Sequence, residues 1–382
     1  MVIGGGHAGV EAAWAAAAAL GDGGRVVLVT MDPARIGQMS CNPAIGGLGK
    51  GQMVREIDAL GGLMGRAIDA SGIMFKLLNT SKGPAVQGPR AQADKYAYLA
   101  EVQRLLASRP GIRVVAGTVD EILFAGGRVA GVRLPAGGGP VEPRPEAIDA
   151  NLAGDRRAEP VFPAEPAPGD RFAEPVELRA GAVVLTGGTF MRGLMHTGER
   201  RTAGGRVGEG AAVGISQQLR RLGFELGRLK TGTPPRLARG SIDWTSLEPQ
   251  EADAEPVAFS DLSPAILPAG RFPHLPAVDC RITATNESIH ALIRENLHRA
   301  PMYCGQVEAE TGPRYCPSIE DKVVRFADRP SHHVFLEPES LFTDEVYCNG
   351  ISTSLPAEVQ DRIVRSMPGC ERAVIQRYGY AV

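Results

Sequence analysis

The sequence predicts an α/β fold in which short parallel strands alternate with helices. Three apolar runs rich in β-branched residues, at residues 2–3, 26–29 and 182–185, indicate buried strands. Between the first two runs lie a glycine-rich loop and an alanine-rich segment that is typical of a helix. This order of strand, loop, helix and strand is that of a βαβ unit, which places the two strands side by side in one parallel sheet.

The glycine-rich loop fits the pattern G-x-G-x-x-G and consists of Gly4, Gly5, Gly6, His7, Ala8 and Gly9. In this pattern the first glycine permits a tight turn, the second lets the backbone approach a pyrophosphate, and the third lets helix and strand pack closely. Because the helix N-terminus also supplies amide donors, the loop predicts a dinucleotide site. Thr30 stands at the end of the second strand, where a ribose-binding carboxylate is usual, and Asp32 follows. The residues alone therefore leave FAD and NAD both open.

The rest of the chain continues the pattern with one interruption. Residues 93–107 have helical periodicity, and strands are expected at residues 114–115 and 129–132. Residues 135–175 change to Pro, Gly, Ala and charged residues with almost no periodicity, which predicts a flexible surface insertion without a fold of its own.

Composition limits the class of protein. The 382 residues are 43% hydrophobic and 22% charged, with a net charge of −2, which is typical of a globular protein of two or three domains. No apolar run is long enough for a membrane span, and no secretory signal is apparent. The six cysteines form no C-x-x-C pair and the histidines lack ligand spacing. We therefore expect a cytoplasmic protein without a metal site or a membrane association.

Two cysteines lie in loops of unusual composition. Cys41 lies in the loop at residues 37–51, whose glycines and small polar residues suit close approach to a flat ligand. Cys316 precedes a helix start at which Ser318 and Asp321 resemble a capping box. For each cysteine two interpretations stay open, a reactive thiolate and a small structural residue.

A local excess of positive charge occurs at residues 217–240 despite the neutral whole. It includes Arg228, Lys230 and Arg236. A phosphate-binding face and an ordinary solvated surface both remain open as interpretations of this segment.

Longer blocks of the sequence carry a resemblance. They are GGGHAGVEAA, GQMSCNPAIGGLGKG, DALGGLMGRAID, NTSKGPAVQGPRAQADK, VVLTGGTF, GRLKTGTPPR, MYCGQVEAETGPRYCPSIEDKVVRFADR, FLEPES and NGISTSLPAEVQ. Together they resemble the family of tRNA uridine 5-carboxymethylaminomethyl modification enzymes, called MnmG or GidA. The resemblance covers residues 1–134 and 176–382.

The resemblance implies an FAD-dependent enzyme that acts with the GTPase MnmE on the wobble uridine of tRNA. In the family, a methylene unit from 5,10-methylenetetrahydrofolate and an amine are installed at uridine C5, and NADH reduces the flavin. The implied fold is a glutathione-reductase-like FAD-binding Rossmann domain with an inserted nicotinamide-binding domain, in a homodimer. We expect the first FAD segment at residues 1–198, the inserted domain at 199–345 and a return toward the FAD domain at 346–382.

Site residues follow from the resemblance position by position. The loop from Gly4 to Gly9 corresponds to the FAD pyrophosphate loop, Val119 to a backbone contact with the flavin nucleotide, and Ala203 to a contact position usually held by Ser. The proposed NAD segment contributes Gly312, Pro313, Arg314, Tyr315, Ser318, Glu320, Asp321, Lys322 and Phe326.

Chemistry and RNA contact are implied in the same way. Cys41 and Cys316 correspond to the two required cysteines of the family. A thiolate that adds to uridine C6 makes C5 nucleophilic, although the pattern does not tell which cysteine adds. Arg228, Lys230 and Arg236 lie in a family block, which favours an RNA-facing or cofactor-facing role.

Alternative interpretations remain open. Family members continue beyond the last block with a second FAD segment and a helical domain, so we expect this chain of 382 residues to hold FAD weakly and not to recruit MnmE. A folate- and FAD-dependent tRNA 5-methyluridine methyltransferase shares the glycine loop. A non-catalytic flavin- or RNA-binding remnant is the third interpretation.

Overall fold

The structure is a computed structural model that describes residues 1–152, 158–267, 270–301, 303 and 317–382. Its strands are β1 (Val2–Ile3), β2 (Val26–Thr30), β3 (Ala44–Gly46), β4 (Gly72–Leu78), β5 (Gly88–Ala93), β6 (Ile112–Ala116), β7 (Glu121–Ala125), β8 (Arg128–Leu134), β9 (Gly139–Val141), β10 (Val176–Arg179), β11 (Val184–Leu185), β12 (Leu194–Thr197), β13 (Arg200–Ala203), β14 (Gly232–Thr233), β15 (Arg236–Ala238), β16 (Glu248–Gln250), β17 (Cys280–Ala284), β18 (His333–Pro338), β19 (Glu345–Asn349), β20 (Ile375–Arg377) and β21 (Tyr380–Ala381). The helices are α1 (His7–Leu20), α2 (Lys50–Ala59), α3 (Met64–Ser71), α4 (Lys95–Ala107), α5 (Pro145–Leu152), α6 (Gly214–Arg221), α7 (Ser263–Ile266), α8 (Glu287–Asn296), α9 (Ile319–Arg325) and α10 (Ala357–Arg365).

The central sheet has the strand order β11-β1-β2-β6-β9, and its first four strands are parallel. Neighbouring residues of these strands point to opposite faces of the sheet. Val2, Leu28 and Val114 therefore join the core beneath α1 and α4, whereas Ile3 and Val29 join a second core that also contains Val115, Val119 and Ile215. Burial on both faces explains why the strands are continuous apolar runs.

One predicted helix and one predicted helix start are confirmed. The segment expected at residues 93–107 is α4, and the Asp94 carboxylate caps it by accepting hydrogen bonds from the Tyr96 and Ala97 amides at 3.1 Å. Helix α9 begins with a capping box between Ser318 and Asp321. Both caps satisfy amides that lack a partner within the helix.

Antiparallel sheets build the second half of the chain. A six-stranded sheet has the order β16-β17-β18-β19-β15-β20, and a four-stranded sheet has the order β13-β12-β21-β14. The six-stranded sheet packs against α8, α9 and α10 around a separate core that includes Leu237, Ile289, Val334 and Val359.

The expected domain boundaries do not coincide with these sheets. The boundary at residues 198/199 cuts the β12–β13 hairpin, and the boundary at 345/346 falls inside β19. Strands β15 and β20 pair with each other in the six-stranded sheet, whereas β21 pairs with β12 and β14, so residues 346–382 return to both antiparallel sheets. Strand pairing between distant segments carries no local sequence signal, which explains the difference.

The expectation that residues 135–175 lack a fold of their own is wrong for the described part of this stretch. Strand β9 pairs with β6 at the edge of the central sheet, and α5 follows it. Val161 and Phe162 are buried, and their amides donate to the Gln103 side chain at 2.6 and 3.0 Å. Single apolar residues in a polar stretch produce no periodicity, although they reach the core.

Candidate functional site

The glycine loop connects β1 to α1 in a conformation that requires glycine. Gly4 has φ +108°, and a Cβ there would lie 2.3 Å from the Thr186 carbonyl oxygen. A Cβ at Gly9 would lie 1.8 Å from the Gly4 carbonyl oxygen. Gly6, by contrast, has nothing within 4 Å of a Cβ, and no side chain caps the start of α1. The loop therefore has no room for a side chain at Gly4 and Gly9, where it packs against the protein, and is open at Gly6.

The open side of the loop faces a cavity of about 470 Å³ at the carboxyl ends of the parallel strands. Ligands of open α/β sheets bind at this edge. The residues that line the cavity include Gly4, Gly5, Gly6, His7, Ala8, Thr30, Asp32, Arg35, Gln38, Ser40, Gly117, Thr118, Val119, Thr186, Gly187, Phe190, Arg206, Glu209 and Ile215. The structure thus brings together the loop, Thr30 and Val119, which are separated in the sequence.

Two candidates for a ribose contact differ in availability. The Asp32 carboxylate already accepts from the Ala34 amide at 3.0 Å and the Arg35 guanidinium at 2.9 Å. The Thr30 side chain lies close to Gly5, since a Cβ built on Gly5 would be 3.0 Å from the Thr30 hydroxyl oxygen. Within the described chain, the Thr30 hydroxyl makes no hydrogen bond. Thr30 is therefore the freer group at the strand end.

His7 is held neutral behind the loop. Its half-buried ring lines the cavity and packs edge-on against Tyr98, with ring centroids 5.5 Å apart. Burial, assisted by the nearby positive charge of Arg206, lowers the pKa of His7 to about 4. Its Nε2 atom has no hydrogen-bond partner among the described residues.

These features fit a dinucleotide such as FAD. A pyrophosphate needs closely approachable backbone amides at a helix start, and Gly6 with the uncapped start of α1 supplies them. Arg206 at the cavity wall adds a cation, which Gln38 and Glu209 hold through hydrogen bonds of 2.6 and 3.0 Å.

Cys41 lies beyond the cavity wall in contact with the second half of the chain. Its Sγ atom is 3.0 Å from the Tyr347 hydroxyl on β19 and 3.6 Å from the Gly232 carbonyl oxygen on β14. Arg236 on β15 donates to the Cys41 carbonyl oxygen at 3.4 Å. The thiol is partly exposed, so reagents can reach it.

Buried charges surround this thiol. The Arg236 guanidinium is 5% exposed, donates to the Glu339 carboxylate at 3.0 Å and lies 4.7 Å from the centre of the Tyr347 ring. Lys95 bonds the same Glu339 and also Glu345, the latter at 2.7 Å. Burial is the largest single influence and lowers the pKa of Arg236, but Glu339, Tyr347 and Cys41 together raise that pKa above its ordinary value, so the guanidinium stays charged.

The three basic candidates do not form one surface patch. Arg236 is buried in the ion pair just described, and it is not available as a phosphate contact at the surface. Lys230 pairs with Asp321 at 3.1 Å, and Arg228 is exposed and donates to the Arg192 carbonyl oxygen at 3.0 Å. Sequence proximity on a loop does not fix which side of the backbone a side chain occupies.

The expected NAD segment falls partly outside the described residues, and Gly312, Pro313, Arg314, Tyr315 and Cys316 belong to that part. Within α9, Glu320 is buried and accepts hydrogen bonds from the Thr353 hydroxyl and the Ser354 amide at 2.8 and 3.1 Å. Lys322 donates to the Gly350 carbonyl oxygen at 2.8 Å, and the Phe326 ring is 43% exposed. Ser318 and Asp321 cap the helix, so most polar groups of α9 have structural contacts.

The remaining predicted positions differ in setting. Ala203 is exposed at the end of β13 and does not line the cavity. Cys280, Cys348 and Cys370 are buried, and burial raises the pKa of each, to about 12 for Cys370. Cys304 lies outside the described residues.

Metal ligands and membrane spans are both missing from the part of the chain that the structure describes. In that part no group of three or more His, Cys, Asp and Glu side chains is arranged to hold a metal ion. No helix there combines the length and apolar character needed to cross a bilayer.

Sequence reasoning missed the partners of Cys41. Tyr347, Glu339 and Lys95 come from segments more than 50 residues away from it along the chain. The available signal was the block FLEPES, in which Glu337 lies on β18 and Glu339 directly follows it; both carboxylates are buried, which is unusual for Glu.

Comparison with known families places the chain. The family model described as glucose inhibited division protein A matches residues 1–139 and 169–382. This chain belongs to that family. The match omits residues 140–168, which lie within the stretch that departs from the family blocks in the sequence.

Curated GidA-family relatives carry an enzyme name. The tRNA uridine 5-carboxymethylaminomethyl modification enzymes MnmG of Rhodopirellula baltica and Granulibacter bethesdensis are 50% and 48% identical over 382 residues. Both matches cover 100% of this chain but 52% and 53% of the relatives. The crystal structure of Aquifex aeolicus GidA in its form I crystal has a TM-score of 0.80 at 44% identity, and the match covers 100% of this chain and 56% of that one. The chain thus spans about half the length of the relatives it matches.

Proposed function

We propose that this chain forms the flavin-binding and uridine-facing half of an FAD-dependent tRNA-modifying enzyme. The reaction is the addition of a carboxymethylaminomethyl or aminomethyl group to C5 of the wobble uridine. The observation that carries the proposal is the glycine-lined cavity at the carboxyl ends of the parallel strands, in a chain whose family relatives are named for this modification.

The loop from Gly4 to Gly9 is assigned to the FAD pyrophosphate, with Thr30 facing a ribose and Val119 offering backbone contact. FAD, when bound, supplies the redox chemistry for the one-carbon unit, and NADH is the source of the electrons. The neutral ring of His7 supports the loop from behind without placing a positive charge in the protein interior. Whether FAD or NAD occupies the loop is decided by titrating each into the protein and following flavin absorbance and nicotinamide fluorescence.

Cys41 is assigned to covalent activation of uridine, and Cys316 is the second cysteine assigned to the reaction. Addition of a thiolate to C6 breaks the C5–C6 double bond and moves its electron pair onto C5 and O4. The C5 carbon then attacks the one-carbon electrophile from 5,10-methylenetetrahydrofolate. Loss of the C5 proton to a base and departure of the thiolate restore the C5–C6 double bond and regenerate the cysteine. The amine then forms a bond to the C5 methylene carbon as the bond from that carbon to the folate nitrogen breaks, and tetrahydrofolate leaves.

The proposal also assigns contacts with tRNA, NADH and partner proteins. Arg228 is exposed, Lys230 forms an ion pair with Asp321, and these two are proposed as separate tRNA contacts. The Ser318, Glu320, Asp321, Lys322 and Phe326 segment is proposed as part of the NADH site, together with the residues that precede it. The GTPase MnmE is the proposed partner of the complete enzyme, and a second copy of the chain is the other proposed protein partner.

The experiment uses cells that lack their own enzyme of this family and receive the complete gene that encodes this chain. Mass spectrometry of digested tRNA then locates the modified nucleoside. Restored modification at the wobble position, lost again in Cys41→Ser, supports the proposal. Methyluridine in the T-loop instead would identify the tRNA 5-methyluridine methyltransferase, and no change in tRNA would favour a non-catalytic remnant.

A further inference from the structure

We infer that Tyr347 is a positioning residue for Cys41, in that its hydroxyl donates a hydrogen bond to the sulfur and favours the thiolate. The inference rests on the proposed function for its purpose, since a uridine-activating cysteine acts as the thiolate. It extends that function by naming the side chain that prepares the nucleophile.

The geometry around the sulfur supports this direction of hydrogen bonding. As a thiol, Cys41 can donate its proton to the Gly232 carbonyl oxygen at 3.6 Å and accept from Tyr347 at 3.0 Å. Once the proton has left, the carbonyl oxygen has nothing to accept, whereas the Tyr347 hydroxyl still donates. A hydrogen bond to a charged acceptor is stronger than one to a neutral acceptor, so the contact favours ionisation.

Tyr347 is suited to act as a permanent donor. It is 3% exposed, and burial raises its pKa well above the ordinary value, so the phenol keeps its proton at neutral pH. It therefore cannot serve as the base that removes the thiol proton. The Arg236 guanidinium over its ring and the neighbouring strands of the six-stranded sheet fix its position.

The other groups around Cys41 do not replace this donor. Arg236 donates to the Cys41 carbonyl oxygen and to the Glu339 carboxylate, and none of its hydrogen bonds among the described residues goes to the sulfur. Tyr380 also lies within electrostatic range of Cys41, and Arg206 lies near Tyr380. Only Tyr347 among the described residues brings a side-chain donor within hydrogen-bond distance of the sulfur.

The test measures alkylation of Cys41 by iodoacetamide between pH 6 and pH 10 in the parent chain and in Tyr347→Phe. Trypsin cleavage after Arg35 and Lys50 gives a peptide with Cys41 as its one cysteine, so mass spectrometry reads this site alone. Below neutral pH we expect the variant to react about threefold to tenfold more slowly, because a lost charged hydrogen bond lowers the thiolate fraction. The less stabilised thiolate is the better nucleophile, so the two profiles should cross at high pH.

A crossing of the profiles distinguishes this role from a merely structural one, which would change the rate by the same factor at every pH. The matched control is Tyr378→Phe, which removes a phenol hydrogen bond to Asp361 of 2.9 Å at the surface and should leave the profile unchanged. Parallel or coincident profiles for Tyr347→Phe would overturn the inference.

A second measurement needs no variant and covers the case in which Tyr347→Phe does not fold. The folded parent chain is compared with a synthetic peptide of residues 36–50. The inference requires that alkylation of the folded chain reach half its maximal rate at a lower pH than alkylation of the peptide, and the opposite order would overturn it. If Cys41→Ser keeps wobble modification while these profiles behave as expected, the proposed function fails and the Tyr347 contact stands.

Discussion

Replacing Glu339 by Gln removes one charge from the buried network beside Cys41 and nearly preserves side-chain volume. Glu339 is 1% exposed and binds both Arg236 and Lys95. Without its charge, the 5% exposed Arg236 has no carboxylate partner and Lys95 keeps only Glu345. Breaking a buried ion pair by removing one partner costs about 3–5 kcal/mol, because the other charge remains buried and uncompensated.

The magnitude depends on burial and not on the distance between the charges. The matched control is Glu142→Gln, which breaks an ion pair with Arg113 of 3.4 Å. The side chains of that pair are 65% and 73% exposed, against 6% and 2% for Arg236 and Glu339. Water screens the exposed pair, and its loss should cost less than about 1 kcal/mol.

Urea titrations followed by circular dichroism give the change in the free energy of unfolding for each variant. We expect a loss of at least about 3 kcal/mol for Glu339→Gln and a small change for Glu142→Gln. Equal losses in the two variants would refute the reasoning, because burial would then have no influence on the contribution of these pairs.

Three further predictions concern the glycine loop, His7 and the buried thiols. Gly9→Ala should lower both the thermal midpoint of unfolding and flavin binding, because its Cβ would meet the Gly4 carbonyl oxygen. Gly6→Ala should lower flavin binding alone, because no protein atom lies within 4 Å of its Cβ. Equal thermal midpoints for the two variants would contradict this. Burial lowers the pKa of His7 to about 4 in the folded chain, whereas it is about 6.5 in the unfolded chain. As the pH falls below 6.5, the unfolded chain binds this proton and the folded chain does not, so the free energy of unfolding falls by up to about 3 kcal/mol. Urea titrations at pH 7 and pH 5 should show a smaller loss for His7→Asn than for the parent chain. Iodoacetamide at pH 8 should not modify the buried thiols of Cys280, Cys348 and Cys370 until urea unfolds the chain. Modification of these thiols before unfolding would show that they are not buried.

Features with a local signal could be predicted from the sequence. The strand–loop–helix–strand order of β1, α1 and β2 follows from one glycine pattern and two apolar runs, because burial on both faces imposes continuous apolar strands. The caps at Asp94 and Ser318 follow from side chains that bond amides three residues away or nearer. Each of these features is encoded within a few residues of where it acts.

The environment of Cys41 could not be predicted in this way. Arg236 belongs to a basic stretch that is typical of a solvated surface, and its burial depends on Glu339, a residue about a hundred positions later. Tyr347 reaches the thiol only because β19 pairs with β15 in the six-stranded sheet. Contacts that depend on strand order need the whole topology, which no local pattern contains.

One short segment joins the cofactor cavity to this thiol. The Gly37 amide donates to the Gly5 carbonyl oxygen at 2.9 Å, Gln38 bonds Arg206 at the cavity wall, and Cys41 contacts Tyr347. The backbone between the glycine loop and the sulfur is therefore fixed at both ends by hydrogen bonds. The four-residue span from Gly37 to Cys41 reaches at most about 14 Å when fully extended, so the sulfur lies close to the glycine loop whatever the conformation of that span.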